Sequence, residues 1–224
     1  MKAIWGDKMK IAILGSTGFL GKEILRKALE SGYEIKTLVR NPEKLGEFKK
    51  RVEYIEGNVK QADKLETTVS GTEAVISTIC PPVKKSGDPE SYKDAMIKLV
   101  AILGNQKIKR YIHIGGAAHL GGANENWSIG RRILRIVLKI IAKPVLISKQ
   151  LEWEVLKKSD LDWTLVRPPG IMKKVFKGKG TIADEKNLAR TKVNVDDLAG
   201  FIVEQITSKE WIKKAPLVAA GYKK

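Results

Sequence analysis

The sequence predicts an α/β protein with a doubly wound parallel sheet, helices on both faces of the sheet and a small C-terminal cap on the substrate side. Short apolar runs alternate with longer segments of helical periodicity from residue 10 to residue 206, which is the chain order of βαβ units. The runs are almost continuously apolar, as expected for strands buried on both faces. The first run, 10–14, ends in a glycine-rich turn at 15–21.

The predicted elements follow one another along the chain. Strands are predicted at 10–14, 34–39, 52–55, 74–78, 110–114, 162–166 and 216–219, and helices at 19–31, 61–69, 90–106, 129–143, 147–158 and 195–206. Gly32 follows the first helix, where glycine is a common cap. Residues 1–8 fit no unit and are expected to form an N-terminal extension. Residues 9–224 are expected to form a single domain, because no repeat or low-complexity linker interrupts them.

Gly15, Gly18 and Gly21 form a G-x-x-G-x-x-G turn between a strand and a helix. In the dinucleotide-binding turn of the Rossmann fold, the first glycine permits the sharp turn and the second lets backbone N–H groups approach the phosphates. The third lets helix and strand pack closely. The unpaired N–H groups and the positive end of the helix dipole then favour an anion. We therefore predict an NAD(P)-binding Rossmann domain; the alternative is a plain strand–helix turn without a ligand.

The end of the second strand indicates which dinucleotide is preferred. Arg40 lies there, Lys44 follows one helical turn later, and the first carboxylate after the strand is Glu43. An acidic residue at this place holds the ribose 2′-hydroxyl of NAD, whereas an arginine accommodates the 2′-phosphate of NADP. A planar, permanently charged guanidinium suits phosphate. NADP is therefore favoured and NAD is the second choice; alternatively, Arg40 is only an exposed cation.

The composition is that of a soluble globular protein, with 43% hydrophobic and 30% charged residues in a chain of 224. The single cysteine, Cys80, excludes an internal disulfide framework and fits a reducing compartment. No apolar stretch reaches the roughly 18 residues of a transmembrane helix, and the N-terminus lacks the apolar core of a signal peptide. A cytoplasmic location is expected. No spacing of histidines, cysteines and carboxylates suggests a metal site.

The net charge of +17 calls for an explanation. Lysine and arginine pairs are scattered over the chain and aromatic residues make up only 6%, so solvated surface is favoured and no specific nucleic-acid recognition is expected. The basic amphipathic segment 129–143 is expected to cover the core or a dimer partner, with weak contact to a membrane surface as the alternative. The protein is expected to be a monomer or a homodimer.

Several short segments carry a resemblance to a known superfamily. They are Gly15–Gly21, Leu38–Asn41, Gly57–Val59, Gly115–Ala117, Ser159–Thr164 and Arg167–Pro169. Together they resemble the atypical, small members of the short-chain dehydrogenase/reductase superfamily. The chain is most similar to the NAD(P)H-binding group that includes flavin and biliverdin reductases and NADH-flavin reductases, with NmrA-like regulators nearby. The segment Leu-Asp-Trp-Thr followed by Arg-Pro-Pro is more specific than the glycine turn alone.

The resemblance implies a set of cofactor contacts. They are Ser16, Thr17, Gly18, Phe19 and Leu20 at the pyrophosphate, Arg40 at the adenosine phosphate, Asn58 and Val59 beside adenine, Thr78 and Ile79 at the ribose, and Gly115, Gly116, Pro168, Pro169, Gly170 and Ile171 around the nicotinamide. Lys149 falls where a helix residue can reach the nicotinamide. It is the catalytic candidate, unless it is an exposed helix lysine.

The chain departs from the superfamily at two points. None of its tyrosines has a lysine four positions later, although alcohol-oxidising members use such a pair. Gly116 stands where flavin-reductase relatives often have serine. Hydride transfer from NADPH to a flavin or a quinone-like acceptor does not require the pair, because the acceptor stabilises its own reduced form. An NADPH-dependent reductase is the leading hypothesis. The alternatives are an NADP-sensing binding protein without turnover and, less favoured, a sugar epimerase or dehydratase.

Overall fold

The computed structural model describes residues 8–79, 89–116, 143–173, 180–184 and 191–221. Three sequence-based predictions therefore fall outside the described residues. They concern residues 1–7 of the predicted extension, Cys80 and residues 129–142 of the predicted basic helix.

Six parallel strands form the central sheet. They are β1 (Lys10–Leu14), β2 (Glu34–Val39), β3 (Glu53–Glu56), β4 (Ala74–Ser77), β5 (Arg110–Ile114) and β6 (Asp162–Val166). The order across the sheet is β3-β2-β1-β4-β5-β6, and all five pairings are parallel. The chain turns from one direction across the sheet to the other between β1 and β4, where doubly wound folds bind their ligands. The predicted Rossmann fold is confirmed.

Helices cover both faces of this sheet. They are α1 (Phe19–Glu30), α2 (Ala62–Val69), α3 (Pro89–Asn105), α4 (Lys143–Lys158) and α5 (Val195–Glu204). Side chains of β1 alternate between two hydrophobic clusters, because successive residues of a strand point to opposite faces. Ile11 and Ile13 pack with α1 and α5, whereas Ala12 and Leu14 pack with α2, α3 and α4. No helix in the described part of the chain is long and apolar enough to cross a membrane.

The start of α4 differs from the prediction. The helix begins at Lys143 rather than Ile147. Pro144 is its second residue, and proline is tolerated in the first turn because the N–H that it lacks has no acceptor inside the helix.

A second difference from the prediction is the 3-10 helix at Pro42–Arg51, which was not predicted. Asn41 precedes it, and its side-chain oxygen accepts a hydrogen bond of 2.9 Å from the backbone N–H of Glu43.

The C-terminal part adds short strands beside β6. They are β7 (Gly170–Met172), β8 (Thr181–Asp184), β9 (Lys192–Asn194) and β10 (Leu217–Ala220). β7 pairs with β9 in parallel, and β8 pairs with β10 in antiparallel fashion. The backbone N–H of Arg167 donates to the carbonyl of Pro216 at 2.8 Å, which ties this part to the end of β6. The predicted strand at 216–219 is shifted by one residue, and β7, β8 and β9 were not predicted.

Candidate functional site

The turn after β1 has the backbone geometry that its glycines predict. Gly15 has a positive φ of 89°, and the N–H of Gly18 donates to its carbonyl at 3.0 Å. A Cβ atom added at Gly21 would lie only 2.1 Å from the same carbonyl oxygen. No side chain fits at that distance, so α1 can pack this closely on the end of β1 only with glycine at position 21.

Hydroxyl groups of neighbouring strands and of the turn itself hold this turn in place. The hydroxyl of Thr78, just after β4, donates toward the Gly15 carbonyl oxygen at 3.1 Å. Ser16 is fully buried, and its hydroxyl lies 2.7 Å from that of Thr37, which donates to the carbonyl of Ile13. Ser16 was predicted to contact the pyrophosphate and Thr78 the ribose. In this structure they fix the backbone, so a contribution of Ser16 to pyrophosphate binding would come from its backbone N–H.

The amino end of α1 is open to an anion. Gly18 is the residue before the helix, no side chain caps the first turn, and that turn contains no acidic residue. Phe19 is 49% exposed, which is high for a phenylalanine, and the ammonium of Lys173 lies 5.8 Å from the centre of its ring. Unpaired N–H groups, the helix dipole and nearby cations all favour negative charge here.

The side chains of Arg40 and Lys44 extend into solvent beyond the carboxyl end of β2. Neither has a hydrogen bond or ion pair with another described residue, and the neighbouring carboxylate of Glu43 is paired with Lys49 at 2.5 Å. Both cations therefore remain available to a phosphate.

The side chain of Asn58 is already engaged at the start of α2. Its carbonyl oxygen accepts from the N–H of Lys60 at 3.0 Å, and its amide donates to Gln61 at 3.0 Å. Val59, the other residue predicted beside adenine, is half-buried against the cluster of α2 and α3. Val59 can thus offer apolar contact, whereas Asn58 first shapes the loop.

The predicted nicotinamide residues follow the next strands. Gly115 and Gly116 come after β5, and the N–H of Gly115 donates to the carbonyl of Val166 at 2.8 Å. Pro168 is buried after β6, while Pro169 and Ile171 are half-buried and Gly170 is exposed. Because all strands of the central sheet are parallel, these residues lie at the same edge as Gly15, Arg40 and Thr78.

Lys149 is not an exposed helix lysine. It lies on α4 with only 5% of its surface exposed, and its ammonium donates to the Glu152 carboxylate at 2.8 Å and to the Ile79 carbonyl at 3.2 Å. Ile79 is the second residue after β4, so this contact brings the ammonium to the carboxyl edge of the sheet. That Lys149 reaches the nicotinamide from this edge stays a prediction.

Glu152 connects Lys149 to two polar side chains inside the sheet. Its Oε2 lies 3.1 Å from Nε2 of His113, and Nδ1 of His113 lies 3.2 Å from the hydroxyl of Tyr111. The exposed fractions are 4% for Glu152, 3% for His113 and 0% for Tyr111. Ser77 of β4 is also buried and lies near the Tyr111 hydroxyl. We call Lys149, Glu152, His113 and Tyr111 the buried polar network.

Burial sets the protonation of this network. It lowers the pKa of His113, and the charge of Lys149 lowers it further, whereas the hydrogen bond and the charge of Glu152 act to raise it without reversing the shift. Burial alone would raise the pKa of Glu152, but its hydrogen bonds and charge interactions with His113 and Lys149 hold it below the usual range. Burial raises the pKa of Tyr111 well above its ordinary value. At neutral pH the network therefore contains a glutamate anion, a neutral histidine and a neutral tyrosine.

One tautomer of His113 satisfies all of these contacts. A neutral imidazole has one N–H and one acceptor nitrogen. Nε2 faces the Glu152 carboxylate and must carry the hydrogen, so Nδ1 accepts from the Tyr111 hydroxyl. A protonated His113 would present a second N–H to that hydroxyl and would require it to reverse. The hydrogen bonds thus run in one direction from Tyr111 to Glu152.

Sequence reasoning missed Tyr111 and His113 as members of a site. Both lie in the short apolar run of β5, two residues apart and so on the same face. A histidine inside an otherwise apolar strand is a weak signal of a buried polar partner. The three-residue spacing of Lys149 and Glu152 did place them on one helix face. Among the described residues, no group of three or more histidines, cysteines and carboxylates could hold a metal ion.

Comparison with protein-family models matches residues 15–209 to a family described as NAD(P)H-binding. The chain belongs to this family. The match includes the glycine turn, Arg40, the buried polar network and the turn after β6. It confirms the resemblance drawn from the sequence and assigns the protein to an oxidoreductase-like group that binds nicotinamide dinucleotides.

The curated relatives include proteins named as reductases and one named as an epimerase. Anthocyanidin reductase from Arabidopsis thaliana is 31% identical over 146 residues, which cover 53% of this chain and 42% of that protein. YhfK of Bacillus subtilis, described as an uncharacterized sugar epimerase, is 23% identical over 218 residues. This match covers 92% of this chain and 92% of that protein. The photosystem II assembly factor Ycf39 of Cyanophora paradoxa is 37% identical over 71 residues, 31% of this chain and 22% of that protein. The chain spans less than half the length of the first curated relatives it matches.

Solved structures share the fold over nearly the whole chain. The oxidoreductase ylbE of Lactococcus lactis superposes with a TM-score of 0.76 at 22% identity, covering 96% of this chain and 92% of that one. A short-chain dehydrogenase/reductase of Veillonella parvula, determined in complex with NADP, has a TM-score of 0.75 at 18% identity and covers 94% of each chain. At these identities the likeness concerns the fold.

The neutral state of His113 predicts how stability depends on pH. Its pKa is lowered from 6.5 in the folded protein and returns to about 6.5 in the unfolded chain. Below that pH the unfolded state binds more protons, so the free energy of unfolding falls by up to about 1.4 kcal/mol per pH unit. We expect the free energy of unfolding of His113→Gln to fall less steeply than that of the wild type as the pH is lowered from about 6.5 to 5. This window lies above the pH range in which Glu152 is protonated.

Urea unfolding of both proteins at several pH values measures this difference. His119, the other histidine of the chain, is present in both proteins and cancels in the comparison. Equal slopes of unfolding free energy against pH for the two proteins would show that His113 is not held neutral.

Proposed function

We propose that this protein is an NADPH-dependent reductase that transfers a hydride to a flavin or a quinone-like conjugated acceptor. The observation that carries the proposal is the ammonium of Lys149, buried with Glu152 and bonded to Ile79 at the edge of the sheet where the nicotinamide is expected. The family is described as NAD(P)H-binding, so a nicotinamide dinucleotide as cofactor follows from family membership. The acceptor and the turnover are the proposed part.

The proposed reaction fits the groups that the site contains. NADPH supplies the hydride, and the acceptor delocalises the electron pair, so the chain needs to bind, orient and stabilise charge. Lys149 can do the last of these, because a fixed cation in a poorly hydrated site stabilises developing negative charge more strongly than the same cation in water. Pro168 and Ile171 would border the nicotinamide and limit the access of water.

The proposal names NADPH rather than NADH because of Arg40 and Lys44. Both are exposed after β2 without a carboxylate partner among the described residues, which suits a 2′-phosphate. The neighbour from Veillonella parvula was determined with NADP, which supports the same choice. NADH remains the second choice of cofactor.

A second candidate function is an NADP-binding protein without turnover. The absent Tyr-x-x-x-Lys pair and the glycine at position 116 favour it. So does the fact that two of the three N–H donors of Lys149 are already bonded to protein acceptors. A sugar epimerase, the name carried by YhfK, is less favoured because it would need the missing pair.

Turnover separates the two candidates. We expect purified protein to oxidise NADPH in the presence of menadione or FMN, seen as loss of NADPH absorbance. The control is the same mixture with Lys149→Met, which should still bind NADPH but oxidise it at least about tenfold more slowly, since it lacks the stabilising charge. NADPH binding without oxidation by quinones, flavins or azo dyes would favour the sensing protein.

Cofactor preference depends on Arg40. Arg40→Ala should weaken NADPH binding by about tenfold or more, the effect of losing one charge-assisted phosphate contact, and leave NADH binding unchanged. Arg51→Ala is the matched control. It removes an equally exposed arginine from the end of the 3-10 helix. Titration of nucleotide fluorescence gives both dissociation constants. If Arg40→Ala weakens neither or both nucleotides equally, the preference for NADPH does not come from Arg40.

A further inference from the structure

The buried polar network has one end at the cofactor edge and the other inside the protein. Lys149 contacts the carbonyl of Ile79 after β4, whereas Tyr111 is fully buried and has the sulfur of Met96 at 3.9 Å from its hydroxyl. Glu152 and His113 connect the two ends and are themselves nearly inaccessible. The inner end thus has no route to solvent through the described residues.

A network closed at its inner end cannot relay protons from solvent to Lys149 through that end. A proton given up by Lys149 could not be replaced through Glu152, His113 and Tyr111. Nε2–H of His113 already points to Glu152, and the neighbours of the Tyr111 hydroxyl among the described residues are all buried. The chain of hydrogen bonds is therefore suited to holding charges in place and unsuited to conducting protons.

Glu152 also determines the direction of the Lys149 ammonium. A lysine ammonium has three N–H donors, and here one is bonded to Glu152 at 2.8 Å and another to Ile79 at 3.2 Å. The third has no acceptor among the described residues. With two donors fixed, the direction of the third is fixed as well. His113 fixes Glu152 in turn through its hydrogen bond of 3.1 Å.

We infer that Glu152 and His113 are positioning residues that hold Lys149 as a fixed positive charge, so that the enzyme is restricted to acceptors reduced through a resonance-stabilised anion. This inference rests on the proposed reductase function. The hydride moves with its electron pair from C4 of the nicotinamide to the acceptor. NADPH becomes NADP⁺, and the acceptor becomes a quinol or flavin hydroquinone anion that takes its proton from water afterwards. A simple ketone would become an alkoxide and would need a proton donor in the same step.

Few groups in the described part of the chain face the network. Glu152 on α4 faces Lys149 of the same helix and His113 of β5, and Tyr111 of β5 lies next to His113. The neighbouring strand β4 contributes the uncharged Ser77, and α3 contributes Met96. The pH dependence of turnover should therefore be set by these titratable groups, of which Glu152 and His113 keep one charge state throughout the neutral range.

The test compares two glutamates on the same helix. Glu152→Gln keeps the size of the side chain but removes the charge that directs Lys149. We expect its kcat with menadione to fall about tenfold to a hundredfold, with the Kd for NADPH changed by less than about threefold. Glu154→Gln is the matched control, since Glu154 is exposed and contacts only Gln150 among the described residues. It should leave both values unchanged.

Two further readouts separate positioning from a general loss of structure. Wild-type kcat with menadione should stay level from about pH 6.5 to 9, because no group of the network donates a proton in the step. Cyclohexanone should not oxidise NADPH at any of these pH values. If Glu152→Gln does not fold, His113→Gln, which leaves the pair of Lys149 and Glu152 intact, should still lower kcat several-fold without changing the Kd for NADPH.

The outcomes for the two proposals are distinct. A failure of every acceptor to oxidise NADPH would overturn the reductase function itself. Turnover with menadione that is unchanged in Glu152→Gln, that falls with rising pH as an acid is lost, or that is matched by cyclohexanone would overturn the positioning role and leave the reductase intact.

Discussion

The carbonyl oxygen of Gly15 is the point on which the structure of the cofactor edge depends. The N–H of Gly18 and the hydroxyl of Thr78 both bond to it, and Gly21 packs against it at a distance that admits no Cβ atom. Helix α1, strand β1 and strand β4 are therefore held together at one backbone atom. The order of the strands places this atom at the switch point of the sheet, which is where doubly wound folds bind their ligands, so the close packing and the expected cofactor site share one location.

Stability does not explain the buried polar network. Removing two charges from water costs several kcal/mol per ion, and a buried ion pair is often no more stabilising than apolar residues of the same volume. Lys149 and Glu152 are each about 95% buried, in a helix that packs against the cluster of α2 and α3. Strongly perturbed ionisable groups are found preferentially at functional sites. This network lies next to Ile79, at the edge where the nicotinamide is expected to bind, and that location supports the proposed role in the reaction.

The main elements of the sheet could be predicted because their residues carry local signals. β1, β2, β5 and β6 have the predicted bounds, since continuous apolar runs and flanking glycines mark buried parallel strands. The short strands β7 to β9 could not be predicted, because three or four residues paired across the chain leave no periodic pattern. Only one of the two residues that position Lys149 could be recognised from the sequence. Glu152 is its neighbour on the same helix face, whereas His113 approaches it from β5, 39 residues from Glu152 along the chain, and only the fold brings them together.

The side-chain hydrogen bonds of Ser16, Thr78 and Asn58 could not be predicted from the sequence for the same reason. Position along the chain placed them at strand ends, but which atoms their side chains bond depends on neighbouring strands and on the start of α2.

The most direct test of the account measures hydride transfer itself. NADPH that carries deuterium at both C4 positions is mixed with protein and menadione, once in H₂O and once in D₂O, and the rates are compared with those of ordinary NADPH. We predict that the deuterated cofactor reacts more slowly and that D₂O leaves the rate unchanged. NADPH that binds without being oxidised, or a rate slowed by D₂O, would contradict hydride transfer beside a fixed positive charge.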